Sequence, residues 1–379
     1  MTSAAEDRVL AVGAAAWLDA DEELVLREFH PSAHAGFRLH VDVADTIVRR
    51  ADVEVGFMHR GAEKLFESRD YRQLMMLANR HDWLSAFSNE LVIALVLEEA
   101  TGITPPERAT WTRTLLAEAN RVMATLAFLG AVAEPSHDRQ VIFDARERLV
   151  RAQEIVTGGR VHPMFTRIGG VAAPISAAAL DDYAGIIADL DSLGALIADA
   201  VLEYAESLVG IAALDRPAAI GFGVSGTVAR ASGLDLDLRR DDPYLAYAEL
   251  TDLIGVPLHV GGDARDRYRV LVEQLPTSTS IMAACVDRLR SLGNGPHDVL
   301  LPKTVRAPEG VTYGSIEGPL GITGCLLASM GDKLPWRLKI RSASFANVQA
   351  MQAALVGTPY DRLADAVMSF FFVVGDIDR

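Results

Sequence analysis

The sequence predicts an α+β fold that is mostly helical, with a small N-terminal β region, a multi-helix core and a C-terminal α+β region. Short stretches near the N-terminus alternate apolar and polar residues, as half-buried strands do. In the middle of the chain, apolar residues recur at spacings of three, four and seven, which is typical of amphipathic helices. After Gly293, Pro and Gly become frequent and alternation returns. We therefore divide the chain into residues 1–70, 71–292 and 293–379.

The first region should contain a loose arm followed by strands. Residues 1–20 are mostly small, so we expect them to form the arm. Short runs between Glu23 and Val55 alternate apolar and polar residues, and 37–43 is the clearest of them. Together they indicate a small sheet with one buried face.

The central region should be a helix bundle. A first helix is predicted over 71–100, closed by Gly102, with the block Arg80–Trp83 in its middle. A second should run from Pro106 to Gly130, because proline is favoured in the first turn of a helix. The remaining helices are predicted at 141–156, 180–210 and 265–292.

The C-terminal region should combine strand and helix. Residues 336–341 alternate like a strand, and one or two helices should close the chain before Arg379.

Composition excludes several classes of protein. The formal net charge is −15 and the isoelectric point about 5.1, which argues against a nucleic-acid partner and a polybasic membrane anchor. No apolar run is predicted to reach the ~18 residues that span a bilayer; the best candidate, 193–214, is interrupted by acidic residues. A mean hydropathy of +0.18 suggests that surface is buried against other subunits. An alanine-rich protein from a GC-rich genome would give a similar value.

Metal and disulfide chemistry are not expected in this chain. Cys285 and Cys325 are the only cysteines, which excludes a disulfide framework and any all-cysteine cluster site. Their scarcity suits a reducing cytosol. His30 and His34 lie four residues apart, but Pro31 disfavours a helix between them, so a metal-binding pair is not predicted.

A glycine-rich segment at 221–226 matches the spacing Gly-x-Gly-x-x-Gly. A dinucleotide site would also need a strand before it and a helix after it. Because Gly233 soon interrupts any following helix, we interpret the segment as a tight interior turn.

Two polar blocks, 55–65 and 79–90, hold too many charged groups for an ordinary core. With the segment His30–His34, they resemble the 49 kDa (D) subunit of respiratory complex I, the NADH:quinone oxidoreductase. Further segments resemble that family in the expected order, including 158–170, 229–240, 244–250, 301–303, 337–349 and the end of the chain. The family is related to the large subunits of NiFe hydrogenases, whose paired cysteine ligands are absent here.

The resemblance implies a role in quinone reduction, coupled to proton translocation and active only within the complex. The chain would bind no cofactor itself, and its substrate would be quinone. Electrons would arrive from a 4Fe–4S cluster on the B subunit, and NADH and FMN would bind to other subunits. The C and I subunits and the membrane H subunit would be further partners. The chain would lie peripherally on the cytoplasmic face of the plasma membrane.

The resemblance also assigns roles to residues. His34 and Trp83 would hold the quinone, and Arg80 and His162 would tune the neighbouring cluster. The quinone path and the subunit interfaces would be formed by His30, His59, Asp82, Asp376, Asp378 and Arg379. Physically, imidazole can donate a hydrogen bond to a quinone carbonyl. A fixed positive charge stabilises a reduced cluster and raises its potential.

The chain departs from the family pattern at several positions. Arg27, Glu28 and Phe29 replace a Gly-Pro-Gln run, and Ala35 replaces a glycine, which should stiffen the loop. Trp83 replaces a tyrosine, and indole N–H cannot supply a proton as a phenol can. The acid that should orient His34 is uncertain, with Glu134 the candidate.

These departures leave two alternatives open. The chain could be a structural paralogue that keeps the assembly interfaces without quinone chemistry. It could also serve a complex whose electron donor is not NADH but, for example, ferredoxin.

Overall fold

The computed structural model describes residues 6–13 and 17–379. Its fold is α+β and mostly helical, with a small N-terminal sheet, a helical core and a C-terminal sheet, which confirms the predicted fold class.

The N-terminal sheet has four strands in the order β2-β1-β3-β4. They span Glu6–Gly13 (β1), Glu22–Leu24 (β2), Gly36–Ala44 (β3) and Ile47–Glu54 (β4). The prediction of a loose arm over 1–20 is wrong where the structure describes it, since β1 pairs antiparallel with β3 and places Leu10 opposite Leu39. The apolar run at the end of β1 is buried between its neighbours, which accounts for the pairing. Residues 1–5 and 14–16 lie outside the described part.

Fourteen α-helices occur in the described part of the chain. They are Ala62–Phe66 (α1), Leu74–Ala78 (α2), Ala86–Thr101 (α3), Glu107–Val132 (α4), His137–Thr157 (α5), Ala177–Glu206 (α6), Arg216–Phe222 (α7), Gly226–Ala231 (α8), Leu238–Asp241 (α9), Ala264–Glu273 (α10), Leu275–Leu292 (α11), Ala343–Leu355 (α12), Leu363–Met368 (α13) and Val374–Ile377 (α14). The helices predicted from Pro106, at 141–156 and at 180–210 are confirmed as α4, α5 and α6.

Helix α4 is the axis of the bundle and packs against α3, α5, α6, α10 and α11. It has 26 residues, its most apolar 18-residue window has a mean hydropathy of 1.4, and it is the one helix in the described residues whose length and composition would suffice to cross a membrane. No such helix was predicted from the sequence. Because 94% of its apolar window is buried inside the protein, its apolar character is explained by its place in the core.

The helix predicted over 71–100 is interrupted, and this break forms the site described below. A short 3₁₀ turn at Tyr71–Gln73 leads into α2, and α3 starts only at Ala86. Between them, the Asp82 carboxylate accepts hydrogen bonds from the backbone N–H groups of Leu84 (3.1 Å) and Ser85 (3.0 Å). Asp side chains compete with helical hydrogen bonds in this way, so Arg80–Trp83 do not lie in a helix.

The helix predicted over 265–292 is also two helices. Gln274 separates α10 from α11, and Pro276 lies in the first turn of α11, where its missing N–H costs least.

The C-terminal sheet is antiparallel and consists of Gly310–Gly318 (β7), Gly321–Ser329 (β8) and Arg337–Arg341 (β9), with β8 in the centre. The strand prediction at 336–341 is confirmed as β9, whereas β7 and β8 were missed because glycines interrupt their alternation. The reason for one glycine is steric, since a Cβ at Gly314 would lie 2.8 Å from Val96 of α3. Two short strands, Thr166–Arg167 (β5) and Gly170–Val171 (β6), form a separate hairpin.

Two hydrophobic cores hold the chain together. The larger unites the helix bundle with the C-terminal sheet. The second joins the N-terminal sheet to α12, α13 and α14. The end of the chain is thereby packed beside the N-terminal region. The division into three regions stays a prediction.

The glycine-rich segment 221–226 joins α7 to α8, so a helix and not a strand precedes it. Gly226 has φ +62°, and a Cβ there would lie 2.6 Å from the Cα of Gly321. The prediction of a tight turn is confirmed, but the turn is interior only in its second half, since 221–223 are exposed and 224–226 are buried.

Candidate functional site

Glu90 anchors the irregular segment between α2 and α3 from within the core. Its carboxylate accepts hydrogen bonds from the Asn79 side chain (2.8 Å) and from the backbone N–H groups of Met164 (2.6 Å), Phe165 (2.9 Å) and Thr166 (3.1 Å). Burial raises the pKa of Glu90, and these hydrogen bonds oppose the rise. One side chain thus ties the segment at Asn79 to the segment that follows α5.

This tie brings Arg80 and His162 together. The Nδ1–H of His162 donates to the backbone oxygen of Asn79 at 3.0 Å, and the exposed Arg80 guanidinium lies 3.6 Å from Met164 Sδ. The pKa of His162 is lowered, first by burial and then by the charge of Arg80. A permanent cation and a titratable imidazole therefore share one region of the surface.

Trp83 lines a cleft of about 260 Å³, called the Trp83 cleft below. Its lining residues are Met58, Arg60, Ala62, Leu65, Leu77, Arg80, His81, Trp83, Gly375, Asp378 and Arg379. The indole packs on Gly375 so closely that a Cβ there would lie 2.2 Å from its Cζ3 atom. This contact sets the position of the indole against the end of the chain.

His34 lines a different cleft of about 410 Å³, called the His34 cleft. The other lining residues are Phe29, Pro31, Leu84, Ala127, Gln140, Phe143 and Arg146. His34 is exposed and caps a 3₁₀ turn, with its backbone N–H donating to Pro31 at 3.3 Å. The two residues predicted to hold quinone thus line separate clefts, which meet the same short segment of chain because Trp83 lines one and Leu84 the other.

His30 is a core residue and lines neither cleft. It is fully buried, its Nδ1 accepts from the Ser32 N–H at 3.3 Å, and its ring meets the edge of Phe128 at 5.4 Å between centroids. Burial lowers its pKa to about 3, and His34 and Arg27 contribute in the same direction. The imidazole is therefore neutral at physiological pH.

Two buried carboxyl groups, Asp82 and Asp376, lie behind the Trp83 cleft. Asp376 accepts hydrogen bonds from the Ser342 hydroxyl (2.5 Å) and the Ser344 N–H (3.2 Å) at the start of α12. Burial raises the pKa of Asp82 to about 8, and the nearby Asp376 adds to the rise. Asp82 is therefore largely protonated at neutral pH.

The end of the chain closes the Trp83 cleft. Asp378 accepts from the N–H groups of Gly56 (2.8 Å) and Met58 (2.9 Å), and His59 Nδ1–H donates to the backbone oxygen of Arg379 (2.8 Å). Arg379 in turn donates to the backbone oxygen of Ile340 at 2.7 Å. The predicted residues Arg80, Trp83, Asp378 and Arg379 all line this cleft, and His59 lies beside it.

Comparisons with known proteins agree on one family. A sequence model of the family described as "Respiratory-chain NADH dehydrogenase, 49 Kd subunit" matches residues 139–299 and 295–379. The chain is 46% identical over 392 residues to the second D subunit of NADH-quinone oxidoreductase from Salinispora tropica, covering 100% of this chain and 99% of the relative. It is 46% identical to the Streptomyces griseus protein of the same name, covering 92% and 90%. To the D subunit of the same enzyme from Granulibacter bethesdensis it is 34% identical, covering 92% and 94%.

The chain belongs to the 49 kDa (D) subunit family of the respiratory-chain NADH dehydrogenase. The resemblance inferred from the polar blocks is thereby confirmed, and the α+β architecture is consistent with that family.

Two departures from the family pattern have structural consequences in this chain. Ala35 adopts φ +110°, a backbone conformation suited to glycine, so the His34 loop carries strain as well as stiffness. Glu134, the candidate to orient His34, is exposed and accepts instead from Arg27 at 3.3 Å. In the part of the chain that the structure describes, the His34 side chain has no hydrogen-bond partner.

Two groups of residues were not predicted from the sequence. His81 lines the Trp83 cleft, although no role had been assigned to it. A buried network of ion pairs also links α4 to β7 and the segment around α9, through Glu118, Arg121, Arg230, Asp237, Arg239 and Glu317. The spacing of Glu118 and Arg121 within an apolar helix was the available signal.

The described residues offer no metal-binding cluster. Among them, no group of three or more His, Cys, Asp or Glu side chains could hold a metal ion. Cys285 and Cys325 are both free and buried, and burial raises the pKa of each thiol.

Proposed function

We propose that this chain forms the quinone-reduction site of an NADH:quinone oxidoreductase, next to the terminal 4Fe–4S cluster of a B subunit. The observation that carries the proposal is the shared position of Arg80, His162 and the Trp83 cleft. A cation, a titratable imidazole and an aromatic-lined cleft adjoin one another at the surface, where a cluster on another chain could approach.

Arg80 and His162 would act on the cluster. The Arg80 charge is solvent-exposed and has no carboxylate partner among the described residues, so it is available to an anionic cluster. A positive charge beside the cluster stabilises its reduced state. The lowered pKa of His162 keeps it neutral until an added electron draws a proton to it.

Trp83 and His34 would hold the quinone from two sides. The indole N–H can donate to one carbonyl, and the exposed imidazole of His34 can donate to the other. Because they line separate clefts in this chain, the complete pocket would require the Asp82–Leu84 segment and neighbouring subunits to enclose both.

The assembly would place the chain among the B, C, I and H subunits, peripherally on the cytoplasmic face of the plasma membrane. NADH and FMN would bind elsewhere in the complex, and quinone reduction would be coupled to proton translocation. The names of the relatives support a subunit role, since each is called a subunit of NADH-quinone oxidoreductase.

A tagged complex tests this proposal. The complex should be purified from gently solubilised membranes with wild-type chain, with Arg80→Ala and with the control Arg72→Ala, whose guanidinium bonds to the backbone of a remote loop. We expect inhibitor-sensitive quinone reduction by the wild type, and a lower reduction potential of the terminal cluster in Arg80→Ala alone. A cluster that the donor reduces but quinone never reoxidises would contradict the proposal.

A structural paralogue is the second candidate, and the His34 loop favours it. Ala35 is strained, and the His34 side chain has no hydrogen-bond partner among the described residues. Both features are expected if selection no longer maintained quinone chemistry. This candidate predicts full assembly and normal cluster reduction without any turnover of quinone.

A further inference from the structure

Arg146 on α5 is a cation of the His34 cleft that the fold holds in place but leaves without a counter-charge. It is half-buried, and its Nε–H donates to the backbone oxygen of Met123 on α4 at 3.2 Å. The guanidinium makes no other hydrogen bond or ion pair among the described residues. Its two terminal nitrogens are not enclosed by packing, so a ligand or solvent can reach them.

The charges next to Arg146 on α5 are already paired with other groups. Glu147 accepts from Arg160 at 2.7 Å, and Arg148 forms an ion pair with Asp189 on α6. Burial lowers the pKa of Arg146, but arginine is not deprotonated in proteins, so its charge persists. A partly desolvated cation without a partner is costly, and an electron-rich ligand would offset that cost.

The walls beside Arg146 are apolar and partly aromatic. Phe143 lies three residues before it, on the same face of α5, and packs edge-to-face against Phe29 with 6.1 Å between ring centroids. Leu84 and Ala127 add aliphatic surface. The volume of about 410 Å³ is in the range of clefts that bind small molecules. Surroundings of low polarity strengthen the attraction between the guanidinium and a negative charge.

Two polar side chains of the cleft are free to bind a ligand. The Gln140 amide is engaged, since it donates to Asp144 at 2.7 Å. The His34 imidazole and the terminal nitrogens of Arg146 have no partner among the described residues. Both groups can donate hydrogen bonds, and they do so from apolar walls. An aromatic ring that carries a strongly accepting oxygen fits this arrangement, and a quinone carbonyl supplies such an oxygen.

We propose that Arg146 binds a carbonyl oxygen of the quinone in the His34 cleft and stabilises the negative charge that this oxygen gains during reduction. This inference rests on the proposed function, in which the His34 cleft offers one donor, the imidazole. Arg146 adds a second donor with a permanent charge. Because its attraction grows as the oxygen gains charge, Arg146 should affect kcat more than KM.

Electrons and protons balance without any proton from Arg146. Two electrons reach the quinone, one at a time, from the 4Fe–4S cluster of the partner chain. Two protons from solvent form O–H bonds at the two carbonyl oxygens. The guanidinium keeps all of its protons throughout. It binds the neutral quinol more weakly than the charged oxygen, because hydrogen bonds between ionised groups are the stronger ones.

Two variants of the assembled complex separate the charge of Arg146 from its contact with α4. Arg146→Gln removes the charge but keeps an N–H donor for the Met123 oxygen, whereas Arg146→Lys keeps the charge. With a short-chain quinone, we expect kcat/KM of Arg146→Gln to fall by roughly 10–100-fold, the range of a hydrogen bond to a charged group, mostly through kcat. Arg146→Lys should retain more activity than Arg146→Gln. Arg148→Gln is the control, because the Arg148 charge is paired with Asp189 outside the cleft.

Labelling of the wild-type complex gives a second test that does not depend on the folding of variants. Phenylglyoxal modifies accessible guanidinium groups, and peptide mass spectrometry measures the modified fraction of each arginine. In the absence of an electron donor, saturating short-chain quinone should lower the labelling of Arg146 several-fold and leave that of Arg148 unchanged.

Each test has an outcome that would overturn the inference. A wild-type kcat/KM in Arg146→Gln would do so, and so would equal losses in the glutamine and lysine variants, which would indicate a structural contact alone. Labelling of Arg146 that quinone leaves unchanged, or an Arg146 already shielded in the quinone-free complex, would contradict it as well. A wild-type complex that reduces no quinone would instead refute the proposed function.

Discussion

The Trp83 cleft and the His34 cleft, which share the Asp82–Leu84 segment, are built in different ways. The walls of the Trp83 cleft are joined by hydrogen bonds between distant parts of the chain, such as those from Gly56 and Met58 to Asp378. The His34 loop is held by a local cap, by the burial of His30 and by a single distant hydrogen bond from the Ser32 hydroxyl to the backbone oxygen of Phe372 (2.8 Å), and Ala35 is strained within it. His34 itself is exposed.

By this comparison the Trp83 cleft is preorganised and the His34 cleft is adaptable. Groups that must keep a set distance from a cluster gain from a rigid scaffold, because small displacements change electrostatic interactions strongly. A loop that admits and releases a ligand gains from few contacts. We infer that the chain alone determines the geometry of the Trp83 cleft, whereas the His34 cleft depends on neighbouring subunits.

Among the variants considered, removal of the Glu90 carboxylate should lower the free energy of unfolding most. In Glu90→Ala, the Asn79 side chain and three backbone N–H groups lose their acceptor. Each unsatisfied buried donor costs about 1–3 kcal/mol, so we expect a loss on the order of 3–5 kcal/mol in the free energy of unfolding. Urea denaturation of the full chain measures it.

Glu90→Gln is the matched control. The glutamine oxygen can accept some of these hydrogen bonds, but its NH₂ group cannot accept any from the remaining donors. The loss of unfolding free energy should therefore be smaller than in Glu90→Ala. Equal stability of Glu90→Ala and wild type would show that Glu90 does not hold the segment carrying Arg80.

The Asp82 carboxyl should make stability depend on pH. Its pKa of about 8 in the folded state exceeds the value of about 3.9 expected in the unfolded chain. Between these values the folded state retains a proton that the unfolded state releases. Stability should therefore be greatest at the acidic end of this window and fall as pH rises, by at most about 1.4 kcal/mol per pH unit.

Asp82→Asn tests this linkage, because its amide oxygen can still accept from Leu84 and Ser85 but does not titrate. The difference in unfolding free energy between variant and wild type should grow with pH in favour of the variant. Parallel pH profiles for the two proteins would exclude a protonated Asp82.

Gly375→Ala should disturb the Trp83 cleft alone. The new Cβ would lie 2.2 Å from Trp83 Cζ3 and 2.6 Å from the backbone oxygen of His81. Overpacking of this kind costs about 1–3 kcal/mol. The fluorescence emission of Trp83 should shift. The same measurement on a Trp83→Phe variant identifies how much of the tryptophan signal comes from Trp83.

Gly185→Ala in α6 provides the comparison for this variant, since a Cβ at Gly185 meets nothing within 4 Å. That change should stabilise the chain by about 0.5–1 kcal/mol, because alanine favours helix over glycine. A Gly375→Ala chain as stable as wild type would mean that the indole can move freely.

Periodicity predicted the parts of the fold in which one pattern persists. Helices α4, α5 and α6 were found because their apolar spacing continues over many turns. The interruption between α2 and α3 was missed because Leu74, Leu84 and Leu91 maintain helical spacing across it. What ends the helix is a side-chain interaction, the capping of backbone N–H groups by Asp82, and periodicity does not register it.

The candidate site was predicted from resemblance more than from pattern. The roles of Arg80 and His162 came from matching polar blocks, and their proximity depends on Glu90, a long-range contact that no local spacing reveals. The same limit explains why His34 and Trp83, both singled out from the sequence, could not be assigned to separate clefts. His81 was assigned no role because its place in the lining of the Trp83 cleft depends on packing, which the sequence does not show.

His34→Ala should have the smallest effect on stability and a clear effect on turnover. The exposed side chain makes no hydrogen bond within the described residues, so the free energy of unfolding should change by less than about 0.5 kcal/mol. If His34 donates to a quinone carbonyl, its loss removes about 0.5–1.5 kcal/mol, or roughly 2–10-fold in quinone reduction, while assembly is spared. His297→Ala, in the loop after α11, is the control. Unchanged turnover in His34→Ala would remove His34 from the site and leave the Trp83 cleft to act alone.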